Sequence, residues 1–315
     1  MFENSGLETF TIPKSVTSIA NTAFKNCDSL TTVDYEAGGT EELQIANGST
    51  STSSANKSAG AFKDCDVLTT VSLPARLTLL GAYAFADCSA LTTVTFEEGS
   101  KLAEIGNLAF WNCGITDFVI PAGVTKLGTA KASDTKLSVF MGCKSLVSIT
   151  LPDNYVLQWN RFLGCTSLGE IRVNPENVNY SAKDGVLFSK DGTTLVFYPD
   201  GKQDETYAIP KGTLVIGEKA FYRSTTSYAR NLTGVTIPEG VTEVGIDAFK
   251  TLPLTSVLFP STLTTIGNNA FASTDITEVT IPASVSEIQY SAFQNCSSLV
   301  TVNFAEDGVL ETIGN

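Results

Sequence analysis

Histidine is absent from this sequence of 315 residues. Its absence removes the side chain that most often serves as a general base, as a metal ligand and as the centre of a catalytic triad. Basic side chains are scarce, with 20 Lys and Arg against 33 Asp and Glu, a formal net charge of −13. Nucleic acids and anionic membranes need a basic footprint, so neither is an expected partner. No apolar run reaches the roughly 18 residues of a membrane-spanning helix.

One pattern, clearest at residues 84–96, accounts for most of the sequence. It begins with Ala-Phe-x-x-Cys, passes through a leucine and ends in an extended Val-Thr-Phe segment. Similar stretches begin at Ala23 and Ala292, and copies without an insertion are 22 or 23 residues apart. Repeats of this length stack into solenoids. The phenylalanine of each copy, here called the anchor phenylalanine, is Phe2, Phe24, Phe62, Phe85, Phe110, Phe140, Phe162, Phe221, Phe249, Phe271 or Phe293.

Each unit predicts a β-strand in its first half, because apolar and β-branched residues precede a proline or a turn. The second half is too short for a helix of about 10 residues, so it predicts a second extended piece and about one helical turn. A single unit cannot bury its apolar side, so stacked units share a core and their strands pair in parallel. The predicted fold is a right-handed repeat solenoid, mainly β, with one parallel sheet and short one-turn helices.

The predicted organisation is a single solenoid over residues 1–315, with about eleven repeats and insertions at 36–60, 128–137, 174–206 and 222–231. The Ser/Thr-rich run at 48–54 predicts flexibility. Within the third insertion, residues 184–189 and 193–198 predict a β-hairpin that projects from the edge of the solenoid. Each end of the sequence falls inside a repeat, and solenoids need polar caps. We therefore expect a piece of a longer protein.

The seven cysteines all follow an anchor phenylalanine by three residues, so they belong to the repeat. Parallel stacking would place their Cβ atoms ~5 Å apart, beyond the ~3.5–4.5 Å usual for a disulfide. No Cys-x-x-Cys pair is present for zinc. We expect buried free thiols that act as small apolar side chains; disulfides and metal binding are the less favoured alternatives. The cysteines are Cys27, Cys65, Cys88, Cys113, Cys143, Cys165 and Cys296.

The outward positions of the predicted strands form the candidate interaction face, and small hydroxyl side chains dominate it. Threonine is also simply a favourable residue on an exposed strand, so strand formation alone is one explanation. The functional explanation is an extended, weakly charged concave platform for a protein or glycan. The pattern also points Val119 and Leu258 outward. The candidate partner-binding residues are Thr32, Asp34, Thr70, Ser72, Thr93, Thr95, Asp117, Ser148, Thr150, Glu170, Arg172, Glu278 and Thr280.

The repeat resembles the BspA-type leucine-rich repeats, also called the Treponema pallidum type. The resemblance rests on Ile-Pro, Val-Thr-x-Ile-Gly, Ala-Phe-x-x-Cys and the Asp-Gly-Val-Leu-Phe-Ser-Lys-Asp-Gly segment at 184–192, and it covers nearly the whole chain. It implies a leucine-rich-repeat superhelix in a surface or secreted protein of gut or oral bacteria. It also implies adhesion to host matrix proteins or other microbes. It implies no particular ligand, because repeat families keep the frame and vary the face.

The leading hypothesis is a non-enzymatic, extracellular or cell-surface binding module for a host protein, a matrix component or a glycan, acting as a monomer. The alternative is a structural spacer or stalk that presents other domains and has no ligand of its own. A glycan-active enzyme ranks third. We expect no catalytic residue, no cofactor and no metal, because no carboxylate pair or cysteine cluster departs from the repeat pattern.

Overall fold

The computed structural model describes residues 1–46, 59–128, 138–157, 162–222 and 231–314. The chain divides into two compact units, Met1–Leu168 (unit 1) and Gly169–Asn315 (unit 2). Within each unit, successive coils contain a front strand, in most coils a back strand that is usually shorter, and a turn that carries the anchor phenylalanine. The prediction of a repeat solenoid is therefore confirmed. The single solenoid over residues 1–315 stays a prediction.

Unit 1 has six front and five back strands among its described residues, numbered here in chain order. The front strands are β1 (Thr9–Ile12), β3 (Thr32–Tyr35), β5 (Thr70–Leu73), β7 (Thr93–Phe96), β9 (Asp117–Val119) and β11 (Ser148–Leu151). The back strands are β2 (Ser18–Ile19), β4 (Leu43–Ile45), β6 (Leu77–Leu80), β8 (Glu104–Ile105) and β10 (Lys126–Leu127).

Unit 2 follows the same plan and adds three consecutive strands after its first front strand. The front strands are β12 (Glu170–Val173), β16 (Thr206–Ala208), β18 (Gly234–Thr236), β20 (Ser256–Leu258), β22 (Glu278–Ile281) and β24 (Thr301–Phe304). The added strands are β13 (Tyr180–Lys183), β14 (Val186–Ser189) and β15 (Thr194–Phe197). The back strands are β17 (Val215–Ile216), β19 (Glu243–Val244), β21 (Thr265–Ile266), β23 (Glu287–Ile288) and β25 (Thr312–Ile313).

Strand pairing between coils is parallel and largely in register, with one residue's shift between β4 and β6. In unit 1, β1, β3, β5 and β7 form one sheet, and the five back strands form another. The expectation of one parallel sheet is therefore wrong, since the second extended piece of each unit also pairs with its neighbours. Side chains alternate between the two faces of a strand, so one row lines the core and the next faces out. The inward row contains Phe10, Val33, Val71 and Val94, and the outward row contains Thr9, Thr32, Thr70 and Thr93.

The anchor phenylalanines stack face to face along the core of each unit. Ring centroids of Phe24, Phe62 and Phe85 are 5.0 Å apart, and the planes of successive rings lie within 6° of parallel. In unit 2, Phe249 and Phe271 are 5.1 Å apart. All of these rings except that of Phe24, which is 3% exposed, are fully buried. Burying one such side chain contributes roughly 1.5–3 kcal/mol, so the stack is a major part of the core.

The turns around the anchors contain no helix in any described residue, so the predicted one-turn helices are wrong. The residue two after the anchor, and at most anchors also the residue two before it, adopts a left-handed backbone angle, as at Thr22 (φ 61°) and Asn26 (φ 55°) around Phe24. A right-handed helical turn cannot pass through such residues. The amides of Phe24 and Asn26 instead donate to the carbonyls of Ala61 and Lys63 in the next coil, at 2.8 and 2.9 Å.

The insertion at 174–206 forms part of the unit 2 sheet. Strands β13, β14 and β15 make an antiparallel meander whose first turn is Asp184-Gly185, both with positive φ, as a tight hairpin requires. Strand β15 then pairs in parallel with β17. Because Val186 and Phe188 belong to the unit 2 core, the expectation of a projecting hairpin is wrong. The meander completes the end of an eight-stranded sheet.

Tyr198 occupies the place of an anchor phenylalanine at the end of the meander. Its ring stacks on Phe221 at 4.9 Å, and its amide donates to the carbonyl of Ala220 at 2.8 Å, as anchor amides do elsewhere. Its hydroxyl donates to Asp204 Oδ2 at 2.7 Å. The sequence pattern did not identify this coil, because the anchor residue here is a tyrosine and not a phenylalanine.

All seven cysteines are free, and all except Cys296 are buried. Each thiol donates to the carbonyl of the anchor phenylalanine one coil earlier. Examples are Cys88 to Phe62 at 3.0 Å and Cys143 to Phe110 at 2.9 Å. This position satisfies the carbonyls of the turn while the sulfur fills space in the core.

Three of the predicted insertions extend beyond the described residues. The Ser/Thr-rich run at 48–54, for which we predicted flexibility, lies wholly outside them. So do residues 129–137 of the second insertion and 223–230 of the fourth. Residues 43–45 of the first insertion form β4, which pairs with β2 and β6 and so belongs to the regular coil.

Candidate interaction face

The outward side chains of the unit 1 front strands form a regular, largely uncharged surface. Thr70, Ser72, Thr93 and Thr95 are exposed, and Ser72 lies beside Thr95 in the register of β5 and β7. Asp34 is exposed and lies beside Thr11, whereas Thr32 is half-buried. These side chains point outward, as the strand pattern predicted, and their role in binding stays a prediction. Parallel pairing at ~4.8 Å per coil sets the spacing between neighbouring hydroxyls.

Ser148 was expected on this face but is only 3% exposed, so it cannot contribute a contact surface. Its hydroxyl contacts the carboxylate of Asp117, the residue beside it in the register of β9 and β11. The preceding coil thus covers it, an effect that one strand's alternation pattern does not reveal. Thr150, two residues further along β11, is half-buried, while the neighbouring Val147 is 54% exposed.

In unit 2, Glu170 and Arg172 pair with each other on β12. The Arg172 guanidinium donates to Glu170 Oε2 at 2.7 Å, and it holds the pKa of that carboxyl below its usual value. Both side chains are about half exposed, so the pair contributes little to stability. They line a shallow pocket of about 560 Å³ together with Asp184 and Gly185 of the meander's first turn.

Glu278 and Thr280 are exposed on β22 of unit 2, as expected. They lie beside Thr301 and Asn303 of β24. Asn303 Nδ2 donates to Glu278 Oε1 at 2.8 Å, so the carboxylate is held in place across the two strands. No described contact brings these residues to the pocket at Glu170.

A groove of about 640 Å³ brings together three of the candidate residues, Thr93, Thr95 and Asp117. It lies over β7 and β9, which belong to different sheets. At the start of the two strands, the Thr116 amide donates to the Thr92 carbonyl at a long 3.4 Å. The coils are also further apart here, since the rings of Phe85 and Phe110 are 5.8 Å apart against 5.0 Å for Phe62 and Phe85.

Sequence reasoning missed several residues of this groove. Phe96 lies half-buried in its floor, Glu97 and Pro121 line its end, and Val119 is 55% exposed beside Asp117. Val119 could have been recognised from the sequence, since an aliphatic side chain at an outward position departs from the row of threonines. Phe96, Glu97 and Pro121 could not, because the groove depends on the spacing of two coils.

No group of three or more Cys, Asp or Glu side chains in the described part of the chain is arranged to hold a metal ion. No helix within the described ranges has the length and apolar character to cross a bilayer.

Comparison with known protein families identifies the repeat. A model of the BspA type leucine-rich repeat region matches in six copies, over residues 1–136, 55–182 and 216–315. The chain belongs to the BspA-type leucine-rich repeat family. No curated protein matches it.

Solved structures of bacterial leucine-rich repeat proteins resemble this BspA-type chain. The pneumococcal vaccine antigen PcpA is 25% identical with a TM-score of 0.55, over 95% of this chain and 62% of its own. A leucine-rich cell surface protein from Faecalibacterium prausnitzii is 26% identical with a TM-score of 0.50, over 96% of this chain and 81% of its own. A leucine-rich repeat protein from Eubacterium ventriosum shares the fold at 22% identity, with a TM-score of 0.62, over 97% of this chain and 86% of its own. The BspA-type chain thus spans under two thirds of the pneumococcal antigen.

Proposed function

We propose that this chain is a non-enzymatic binding module of a cell-surface or secreted bacterial protein. It recognises a host protein, a matrix component or a glycan through the front strands of unit 1. The observation that carries this proposal is the groove over β7 and β9, which opens on the same face as the exposed rows of threonine and serine. The family supports it, because relatives of this fold include a vaccine antigen and a cell surface protein.

The absence of an enzymatic role is part of the same proposal. The sequence has no histidine, and its thiols are used in the core, where burial raises the pKa of Cys88, Cys113 and Cys143. A thiol with a raised pKa is a poor nucleophile and a poor metal ligand at neutral pH. The carboxylates of the groove, Asp117 and Glu97, each contact a neighbouring coil, through the Ser148 hydroxyl and the Ala75 amide.

The alternative function, a structural spacer, predicts a different surface. A stalk needs stable stacking between coils and does not need an open groove or an exposed aliphatic side chain among hydroxyls. Val119, 55% exposed at the edge of the groove, favours a binding role. The repeated face also suits avidity on a cell surface, where many copies act together.

Adhesion assays with matched variants test the proposal. The protein is displayed in multiple copies on beads, and its binding to extracellular-matrix proteins, epithelial cells and a glycan array is measured. The double substitution Thr93→Arg with Thr95→Arg fills the face with bulky cations, and we expect it to weaken binding by at least about tenfold, or ~1.4 kcal/mol. The matched control is Thr17→Arg with Thr125→Arg, at exposed positions outside the front strands.

Each result separates the hypotheses. Equal loss in both double variants, or no loss in the front variant, would show that the front strands of unit 1 are not the binding face. If the multivalent wild type binds nothing, the spacer function replaces the binding function. Circular dichroism of all variants confirms that folding is retained.

A further inference from the structure

The groove over β7 and β9 runs along the strands. Its lining extends from Thr92 and Thr116, just before the two strands, to Gly99 and Gly123, in the turns after them. An extended polypeptide advances ~3.3 Å per residue, so a segment of about five residues matches the length of the two strands and the start of the turns. The groove therefore suits a chain that lies parallel or antiparallel to β7 and β9.

Main-chain groups face this groove without a ladder between the two strands. Residues of a strand direct their amides and carbonyls alternately to the two sides, and Thr93 and Glu97 direct their amides to the preceding coil. Val94 and Phe96 therefore direct theirs towards β9, and Val119 directs its own towards β7. Since β7 and β9 belong to different sheets, these groups are not used in pairing the two strands. The anchor rings of these two coils are 5.8 Å apart, whereas a strand added between them would need ~4.8 Å on each side. A peptide in the groove therefore lies over the two strands and contacts their outward side chains.

The side chains along the groove alternate in chemistry. Val94 and Phe118 are the buried residues of the two strands, so Asp117 occupies the outward position equivalent to Thr93, and Val119 the position equivalent to Thr95. Glu97 follows Thr95 by two residues and is exposed. An acid, an aliphatic group and an acid thus succeed one another at intervals of two residues along the groove. None of the residues that line it is basic.

We propose that this groove binds an extended peptide that carries a cationic side chain, an aliphatic side chain and a second cationic side chain at alternate positions. The cations lie against Asp117 and Glu97, and the aliphatic side chain contacts Val119 and the edge of Phe96. This inference rests on the proposed binding function and names a protein segment as its ligand. Sugars usually stack on exposed aromatic rings, and the one ring in the groove, Phe96, is half-buried.

Labelled peptides test the chemistry directly. The probe is fluorescein-labelled Lys-Ser-Val-Ser-Lys with Gly-Ser on either side, and its binding to the intact chain is followed by fluorescence polarisation at low salt. Comparison peptides replace both Lys with Glu or replace Val with Gly. We expect the probe to bind at least about tenfold more tightly than each comparison peptide. Its affinity should fall as salt screens the exposed carboxylates.

Variants of the groove provide the second arm. Val119→Arg places a cation and bulk in the centre and should reduce probe affinity at least about tenfold. The matched control is Leu258→Arg, at the equivalent exposed aliphatic position of β20 in unit 2, 77% exposed, which should leave affinity unchanged. Thr95→Lys is a second groove variant with the same expected loss, in case Val119→Arg lowers the melting temperature.

The outcomes are decisive for the inference and separate it from the proposed function. No probe binding, equal binding of basic and acidic peptides, or tighter binding of a neutral oligosaccharide would each overturn it. Unchanged affinity in folded Val119→Arg and Thr95→Lys would do the same. In those cases adhesion of the multivalent wild type would still support the binding function, whereas loss of all adhesion would remove both.

Discussion

At the scale of single residues, the turn beside each anchor phenylalanine depends on backbone angles that few residues adopt easily. The residue two after the anchor is left-handed in every such turn for which it is described, and it is most often Asn, Asp or Gly. These residues tolerate that conformation, whereas β-branched residues are strained there. Thr251 (φ 61°), which follows Phe249, is an exception to the preference.

Replacing this threonine should stabilise the protein. Thr251→Asn removes a β-branched side chain from a left-handed position, and we expect a gain of about 0.5–1 kcal/mol in the free energy of unfolding. Urea denaturation measures the change. The control is Thr236→Asn, an exposed position on β18, where the loss of strand propensity should be slightly destabilising. A loss of stability in Thr251→Asn would contradict this account of the turn.

The buried thiols link stability to pH. Burial raises the pKa of Cys143 to about 12 and those of Cys88 and Cys113 well above the usual value. An unfolded thiol ionises near pH ~8.5, so at higher pH the unfolded chain releases protons that the folded chain retains. The stabilisation is therefore fully present below pH ~8.5 and is lost as the pH rises from there towards the folded-state pKa.

Alkaline denaturation measures this dependence. Above pH ~9, ionisation of each of the three thiols in the unfolded chain should lower the free energy of unfolding by about 1.4 kcal/mol per pH unit. The three together should give a slope of roughly 4 kcal/mol per pH unit. Urea midpoints between pH 8 and 10, with a reductant present, test the slope. Cys143→Ser should remove about one third of the slope, since serine occupies the equivalent position at Ser5. A midpoint that stays constant up to pH 10 would show that the thiols are not protected by folding.

At the scale of elements, the meander β13–β15 takes the structural place of a coil. Strand β15 pairs with β17, and the meander is followed by Tyr198, whose ring stacks on that of Phe221 at 4.9 Å. The ring of Tyr207 lies tilted against that of Tyr198, also at 4.9 Å. Strand β14 of the meander buries Val186, Leu187 and Phe188. A deletion of residues 186–198 would therefore expose the core of unit 2.

Truncation of the tyrosine should destabilise unit 2 strongly. Tyr198→Ala removes a ring that is 1% exposed, and we expect a cost of about 3–5 kcal/mol from lost burial and the cavity that remains. Tyr198→Phe keeps the stack and loses the hydrogen bond to Asp204, so it should cost about 1 kcal/mol. The control Tyr290→Ala, at a residue 57% exposed, should cost less than either. Urea denaturation provides the comparison; a small effect of Tyr198→Ala would place the meander outside the core.

At the scale of the whole molecule, the charge and the small hydroxyl side chains limit the strength of a single contact. The net charge of −13 is not concentrated on the unit 1 front strands, where Asp34 and Asp117 are the acids among the candidate residues. Such a surface offers area more than strong charge pairs. Binding through it gains most from many copies on one surface.

Valency should therefore dominate the measured affinity. A tetrameric form of the chain, assembled through a terminal tag, should bind a ligand-coated surface about 10²–10⁴-fold more tightly than the monomer. Surface plasmon resonance on the same surface compares the two forms, with a tetramer of the Thr93→Arg, Thr95→Arg variant as the control. Equal affinity of monomer and tetramer would mean that one site binds strongly alone.

Much of the fold follows from the sequence by itself. A spacing of 22 or 23 residues, with Phe, Leu, Val and Ile at fixed places, admits few arrangements other than stacked coils that share a core. The same alternation identified the outward threonines, because neighbouring residues of a strand always face opposite sides. The free thiols were also predictable, since each cysteine is one more element of the repeat.

The tertiary structure alone decided the features that depend on two or more coils. Ser148 is buried because Asp117 of the preceding coil covers it. Arg76 is buried because its guanidinium donates to the carbonyls of Val16 and Glu41 in other coils, at 2.7 and 3.3 Å. The groove exists because the ladder between β7 and β9 is interrupted. A repeat pattern specifies what each coil contains, whereas burial, pairing and open space arise from the distances between coils, which no single repeat encodes.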